Sequence, residues 1–516
     1  MQCIAIIDSI KAYAKQNPTE AQVYEDWFQA VVNLRDALPQ DKRFDAYKYS
    51  GELRSVCAAM MGKMKIGEDV AKVYDIIGRT YLFEAKDVFD SYCIYLEWNR
   101  APEKKFYQPR RKVLKTVANA LQDLADDRLD LLAISMPPGC GKTALAIFYL
   151  TWLAGRNPDE PMLTGSHSNS FVRGVYDECL RIFDKDGEYL WNDVFPDVAV
   201  SNTNAKDCRI DLGKRKRFET LEFTSIGTGN AGLYRASTLL YCDDLVSGIE
   251  VALSKPRLDK LWETYTTDLR QRKIGNKCKE LHIATRWSVH DVIGRLEQNY
   301  GDSDRNRFIV MPAMNEKDES NFDYDYGVGY STETLRKQRE VMDEMSWKAL
   351  YMNQPVEREG LLFPADELRY FNGVLPDGEP DRKLMVMDIA WGGGDFTACP
   401  IAYVYGDAVF IPDLVFNNGD KTVTRPEVVG KIIQHKINVV RGEANNGGDE
   451  YCDVVDSQLR QQGYHCSVRS QRAPSGQSKL SRIIQYAPDI KRFYFLDEKH
   501  QSKEYKAFME QVTMFT

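Results

Sequence analysis

Three sets of residues in this chain have the types and spacing for chemistry. Residues 131–143 read LLAISMPPGCGKT, an apolar strand that breaks into a Pro/Gly turn and delivers Gly141, Lys142 and Thr143 to a helix start. Backbone N–H groups at a helix N-terminus are unpaired and the dipole there favours anions, so the pattern predicts a cradle for the triphosphate of ATP. In it Gly139 and Gly141 let the backbone close on the phosphates, Lys142 reaches the β and γ groups, and the Thr143 hydroxyl ligates Mg²⁺. The usual spacing has glycine where this chain has Met136, and a GKT after a strand also arises by chance.

The second set is the run LLYCDD over residues 239–244, an apolar strand ending in two acids. Asp243 can hold the same Mg²⁺ and Asp244 can orient or deprotonate the attacking water, although such a pair also serves as a solvated turn. The third is Asp388 with Glu443, each ending a β-like run. If those strands are neighbours, the two carboxylates can share a pair of divalent ions, Mg²⁺ or Mn²⁺, that clamp a phosphodiester; acids placed there for solubility are the plainer reading. Two basic groups, Lys214-Arg215-Lys216-Arg217 and Arg469, Arg472, Lys479 and Arg482, can grip DNA phosphates or form ordinary solvated faces.

The elements needed to position these residues are legible in coarse form. A chain of 516 residues is too long for one core and suggests roughly three domains. With 43% hydrophobic and 28% charged residues it is a folded polypeptide, and its net charge of −8 excludes a uniformly basic nucleic-acid coat. Residues 1–100 show helical apolar spacing and hold no catalytic constellation, so they read as a docking or lid domain or a structural extension. Residues 101–363 alternate strand and amphipathic helix, which predicts a parallel central sheet with ligands at the carboxyl ends of its strands. Residues 364–383, rich in Pro and Gly, read as a linker. From 384 to 516 a β-meander, with turns at residues 392–394 and 406–407, feeds a helix and a further strand, the order of a ribonuclease-H-like fold. The 11 cysteines include no C-x-x-C pair and read as reduced thiols of a cytosolic protein. The longest apolar run, 131–153, is interrupted by Pro137, Pro138 and Lys142, so no membrane span is expected, and no signal peptide is recognised.

Taken in order, MPPGCGKT, GTGNAGLYRASTLLYCDDL, IATRWSVHDVIGRL and SWKALYMNQPVEREGLLF resemble the large terminase subunit of tailed-phage DNA-packaging motors over about residues 106–482. The resemblance implies a P-loop ATPase that translocates double-stranded DNA into a procapsid, joined to a metal-dependent endonuclease that cuts concatemeric DNA. It implies that Thr285, Arg286 and Trp287 couple hydrolysis to movement, that Arg235 is an arginine finger supplied to a neighbouring subunit, and that Tyr107 and Gln108 contact adenine. It adds Asp395 as an auxiliary metal ligand. It further implies a homo-oligomeric ring, a portal protein and a small terminase subunit as partners, and a place in the bacterial cytoplasm and transiently on the procapsid. The family's nuclease usually has one more acid after its last helix, and this sequence reaches Thr516 without it. Residues 509–515 read as an element cut off mid-course, so truncation is expected; the other options are that Asp449 or Asp453 substitutes, or that the nuclease is crippled. The competing readings are a helicase-like translocase outside packaging and an assembly subunit whose last domain binds without cutting.

Overall fold

The residues of the cradle motif fold as the sequence predicts, into β1 (Leu131–Ser135) followed by a loop and the helix Lys142–Arg156. β1 belongs to an eight-stranded sheet with β2 (Met162–Ser166), β3 (Val200–Asn204), β4 (Arg209–Leu212), β5 (Leu221–Ser225), β6 (Leu239–Asp243), β7 (Lys279–Ala284) and β8 (Asn306–Val310). The spatial order is β3-β4-β5-β2-β6-β7-β1-β8, parallel from β5 to β8 and antiparallel along β3-β4-β5. β1, β2, β5 and β6 are buried throughout, as strands covered on both faces must be; β1 and β6 read as near-continuous apolar runs, whereas β2 and β5 also bury Thr164, Ser166, Glu222, Thr224 and Ser225. Pairing of Ser135 with Ala284 and of Asp243 with Ile283 brings the carboxyl ends of β1, β7 and β6 side by side. All three carry predicted site residues.

This computed structural model describes residues 2–64, 67–214, 216–227, 234–252, 254–355, 362–390, 395–444, 448–472 and 479–515, with backbone only at 250 and 479–481. It divides into two compact units, Met1–Lys337 with Ser346–Val356, and Gln338–Met345 with Glu357–Thr516. The first hundred residues therefore do not form a unit apart. Their first four helices share a core built on Tyr24, Trp27, Val31, Leu53, Val73 and Ile76. The fifth, Phe89–Leu96, is buried at every residue but Asp90 and enters the core beneath the sheet. Helix Lys142–Arg156 is apolar almost all round because it is covered on both sides. Trp152 Nε1 donates to the Ala85 carbonyl at 2.9 Å, and the hydroxyls of Tyr92 and Thr151 lie 2.8 Å apart.

The second unit is built on a seven-stranded sheet: β9 (Arg369–Phe371), β10 (Arg382–Met387), β11 (Thr397–Tyr405), β12 (Ala408–Asn417), β13 (Val439–Glu443), β14 (Ser467–Gln471) and β15 (Tyr494–Leu496), in the order β14-β13-β10-β11-β12-β15-β9. β10-β11-β12 is the expected antiparallel meander, and β13 and β14 add in parallel on the other side of β10, giving the ribonuclease-H-like order. The stretch expected as a linker departs from its prediction. It contributes β9, whose aromatic-containing run pairs with β15 at the sheet edge. Residues 509–515 complete the helix Lys503–Thr513, after which the Phe515 carbonyl accepts from the Leu362 N–H at 2.7 Å. All eleven cysteines are free and nine are buried, and no described helix is long and apolar enough to cross a membrane.

Candidate functional site

The loop between β1 and its helix turns through two left-handed residues, Gly139 (φ 73°) and Gly141 (φ 91°). A Cβ on Gly141 would stand 2.7 Å from the Phe106 ring, and one on Gly139 would stand 2.8 Å from the Tyr330 hydroxyl. Gly141 is therefore required by conformation and by space, and Gly139 by conformation. Met136 has no positive φ and is fully buried, and its N–H donates to the Ala284 carbonyl, so the first position of the motif uses an apolar anchor where glycine is usual.

Lys142 is buried, with Nζ donating to Thr285 Oγ1 at 2.8 Å and lying 3.6 Å from Asp244 Oδ2. The Thr285 N–H donates to Asp244 Oδ1 at 2.8 Å, closing a ring of three predicted residues from β1's helix, β6 and β7. Asp244 is itself left-handed (φ 41°), a strained backbone for a residue with a Cβ. His167, just past β2, holds it: Nδ1 lies 2.7 Å from the Asp244 carbonyl, which can only accept, so Nδ1 carries the proton. Sequence reading missed His167, whose signal was its place after a strand that must abut β6.

Asp243 is fully buried, and one of its oxygens, Oδ1, has no hydrogen-bond partner among the described residues, while Oδ2 accepts from Tyr241. Burial, followed by the charge of Asp244, pushes its carboxyl up to about 7, against Tyr241, Lys142 and the Thr143 hydroxyl, which pull it down. A buried carboxylate oxygen without a donor, beside a threonine hydroxyl, is the donor set a hard divalent cation uses, so Asp243 and Thr143 fit Mg²⁺.

Tyr107 does not meet its expectation. Its ring is fully buried and its hydroxyl donates to Asp90 Oδ1 at 2.6 Å, leaving no face for a base. Gln108 is exposed on the first turn of the same helix, Tyr107–Ala125. The side chains against the loop are Phe106 and Arg110, one turn apart, with the Arg110 guanidinium 5.0 Å over Phe106 and 5.6 Å over Tyr324. Arg235 is exposed, with its N–H donating to Glu222 Oε2 and its guanidinium 5.3 Å over Phe218. The glycine loop preceding it lies outside the described residues beyond Gly227. Arg286 is spent inside the fold: it is buried, its Nε donates to Asp291 Oδ2 at 2.9 Å, and its N–H donates to Asn353 Oδ1.

In the second unit, parallel pairing of Met387 with Gly442 sets Asp388 and Glu443 side by side at the ends of β10 and β13. Asp388 is exposed and bonded through its backbone to Ala398; Glu443 is half-buried. Asp395 is exposed on the far side of residues 391–394, which with the expected glycine turn lie outside the described residues. Two adjacent carboxylates fit one side of a hard cation. Among the described residues no group of three His, Cys, Asp or Glu is close enough to hold a metal, so none of Asp395, Asp449 and Asp453 completes the pair there.

Of the basic groups, Lys214 to Arg217 does connect two antiparallel strands, β4 and β5. Lys216 is not available to DNA, because Nζ pairs at 2.8 Å with the fully buried Asp211 and donates to the Pro158 and Leu212 carbonyls. Lys214 and Arg217 are exposed, and Arg215 lies outside the described residues. Arg469 and Arg472 are exposed, Arg482 is half-buried, and the Lys479 side chain is not described.

No protein-family model matches the chain, and no curated protein matches it. Its solved structural neighbours include large terminases. That of a thermophilic bacteriophage, in complex with ATP-gamma-S, is 12% identical over 79% of this chain and 90% of that one, with a TM-score of 0.43. That of bacteriophage HK97 is 12% identical over 74% and 84%, at 0.33. The human cytomegalovirus terminase nuclease domain, Mn soaked and inhibitor bound, is 12% identical over 28% and 81%, at 0.21.

Proposed function

We propose that this chain is the ATP-hydrolysing, DNA-cutting large subunit of a viral packaging motor. The observation that carries the reading is the closed ring of Lys142, Thr285 and Asp244 at the mouth of the glycine loop. The N–H groups of the helix start receive the phosphates, and Lys142 exchanges Thr285 for the γ-phosphate. Asp244, held by the Thr285 N–H and by His167, orients the attacking water and takes its proton. Mg²⁺ held by Asp243 and Thr143 would supply charge neutralisation at the β and γ oxygens. When the γ-phosphate leaves, Lys142 returns to Thr285, so the end of β7 senses the nucleotide state. Arg235, exposed on this unit, serves as the finger for a neighbouring subunit in a ring. Gln108 lies on the surface turn where adenine would meet the chain.

In the second unit Asp388 and Glu443 would hold Mg²⁺ or Mn²⁺ for cutting double-stranded DNA, and Asp395, outside that pair, would serve only as an auxiliary ligand. The supporting observation is their adjacency on neighbouring parallel strands. The motor would act on a procapsid in the bacterial cytoplasm with a portal protein and a small terminase subunit. The test uses the full chain, with Lys142→Ala expected to abolish DNA-stimulated ATP hydrolysis while leaving Mn²⁺-dependent cutting, and Asp388→Ala the reverse. Hydrolysis at wild-type rate in Lys142→Ala overturns the reading. Translocation without any cutting points to a helicase-like translocase, and metal binding without cutting to a non-cleaving packaging subunit.

A further inference from the structure

The second sheet has two faces of opposite character. Met385, Met387, Val440, Gly442 and Val468 point to the face packed against the helices Lys421–Gln434 and Gly448–Gln461. Side chains alternate along a strand, so Val386, Asp388, Arg441, Glu443, Arg469 and Gln471 point the other way. On that other face the helix Lys503–Thr513 covers the β12 side, where Tyr505 donates to the Ile411 carbonyl and Phe508 meets the Phe416 ring. Among the described residues the β10-β13-β14 side is left exposed: Val386 is 48% exposed, and Arg441 and Arg469 are both exposed.

Register arranges this open side in rows. Val386 pairs with Arg441, and Arg441 with Arg469, while Glu443 pairs with Gln471 and stands beside Asp388. Two arginines thus lie directly opposite each other on neighbouring strands, one pleat, about 7 Å, behind the two acids. Like charges placed opposite destabilise a sheet unless an anion sits between them. Arg441 donates only to the neighbouring Val440 carbonyl at 3.1 Å, and among the described residues no carboxylate pairs with either guanidinium. Arginine forks match phosphate oxygens, so the row is a ready anion seat on the same face as the candidate metal centre.

We infer that Arg441 and Arg469 together bind one or two phosphates of a nucleic-acid strand, so that the following phosphodiester falls over Asp388 and Glu443. The inference rests on the nuclease reading for its second half and on the register alone for its first. Arg469 belongs to the basic group recognised in the sequence; Arg441, in the middle of a strand two residues before an acid, gave no sequence signal.

The experiment measures equilibrium binding of duplex DNA to the full chain, without divalent metal, across a range of salt, for wild type, Arg441→Gln/Arg469→Gln and Arg441→Lys/Arg469→Lys. The double glutamine variant should flatten the slope of log K against log salt by about 0.9 per lost contact, up to about 1.8, and the lysine variant should keep most of it. With Mn²⁺, the glutamine variant should raise KM for cutting several-fold and leave kcat near wild type. Competition by inorganic phosphate alone, with no loss of DNA affinity in the glutamine variant, would mark a site for free anions. That result, or an unchanged slope, overturns the inference. If wild type never cuts but the slope falls, the nuclease reading fails and the seat stands. If Asp388→Asn abolishes cutting while the glutamine variant keeps wild-type slope and KM, the seat fails and the nuclease reading stands.

Discussion

Gly141→Ala is the perturbation whose size follows most directly from the geometry. The residue sits at φ 91°, and its added Cβ would meet the Phe106 ring at 2.7 and 3.1 Å and Arg110 Cδ at 3.4 Å. The left-handed backbone accounts for about 1 kcal/mol. The overlap with a ring is an overpacking of roughly 1–3 kcal/mol, because Phe106 cannot simply retreat: it packs edge-on against Phe148, at 5.4 Å, and beneath Arg110. A total of about 2–4 kcal/mol is less than the stability of a typical domain, so the loop should open while the fold survives. Restoring the cradle around phosphates then weakens ATP binding by roughly 30-fold to several hundred-fold. Titration with a fluorescent ATP analogue reads this directly. The double variant Phe106→Ala/Gly141→Ala removes the overlap and keeps the backbone term, so its loss relative to Phe106→Ala alone should shrink to about tenfold or less. Binding within twofold of wild type for Gly141→Ala, or no relief in the double variant, would refute the account of the loop.

His167→Ala should lower ATP turnover about tenfold with little change in KM, since one hydrogen bond holding the strained Asp244 is lost, and His167→Asn, which can still donate, should recover part of it; equal turnover in all three proteins ends that assignment. Lys216→Ala should destabilise the first unit by about 3 kcal/mol in chemical denaturation, by leaving the buried Asp211 carboxylate uncompensated, while the salt slope of DNA binding stays the same. Burial pushes the Glu222 carboxyl up to about 8, so between its ordinary range and that value the folded state holds a proton the unfolded state has released. Stability contributed below pH 4.5 is therefore lost as pH rises toward 8, at up to about 1.4 kcal/mol per pH unit. Melting curves of Glu222→Gln should show a shallower decline over that window, and parallel curves would contradict the assignment.

The parts of the chain that could be read in advance are those where one local pattern has one structural meaning. A buried strand running into GKT, and a second ending in two acids, are fixed by burial and by the needs of a helix N-terminus. Partners created by folding were invisible. Nothing local distinguishes Phe106 and Arg110 from Tyr107 and Gln108; which pair faces the loop is decided by the rotation of a helix whose first N–H groups are tied to Glu97. Lys216 looked like its basic neighbours because its buried partner Asp211 lies across a turn. The short β9 was hidden among Pro and Gly because its strand character comes from its pairing with β15.

The uncovered half of the second sheet determines how a long polymer can reach it. β14 forms the rim, and no described strand continues the sheet beyond it. A channel closed on all sides admits only a free end, whereas a ledge that the described residues leave exposed along its border can be approached from the flank by the middle of a chain, with no terminus to thread. A strand laid across β14 would meet the guanidinium row on the same ledge that carries the acids. Under the proposed nuclease function, entry from the side suits interior cuts in an unbroken molecule.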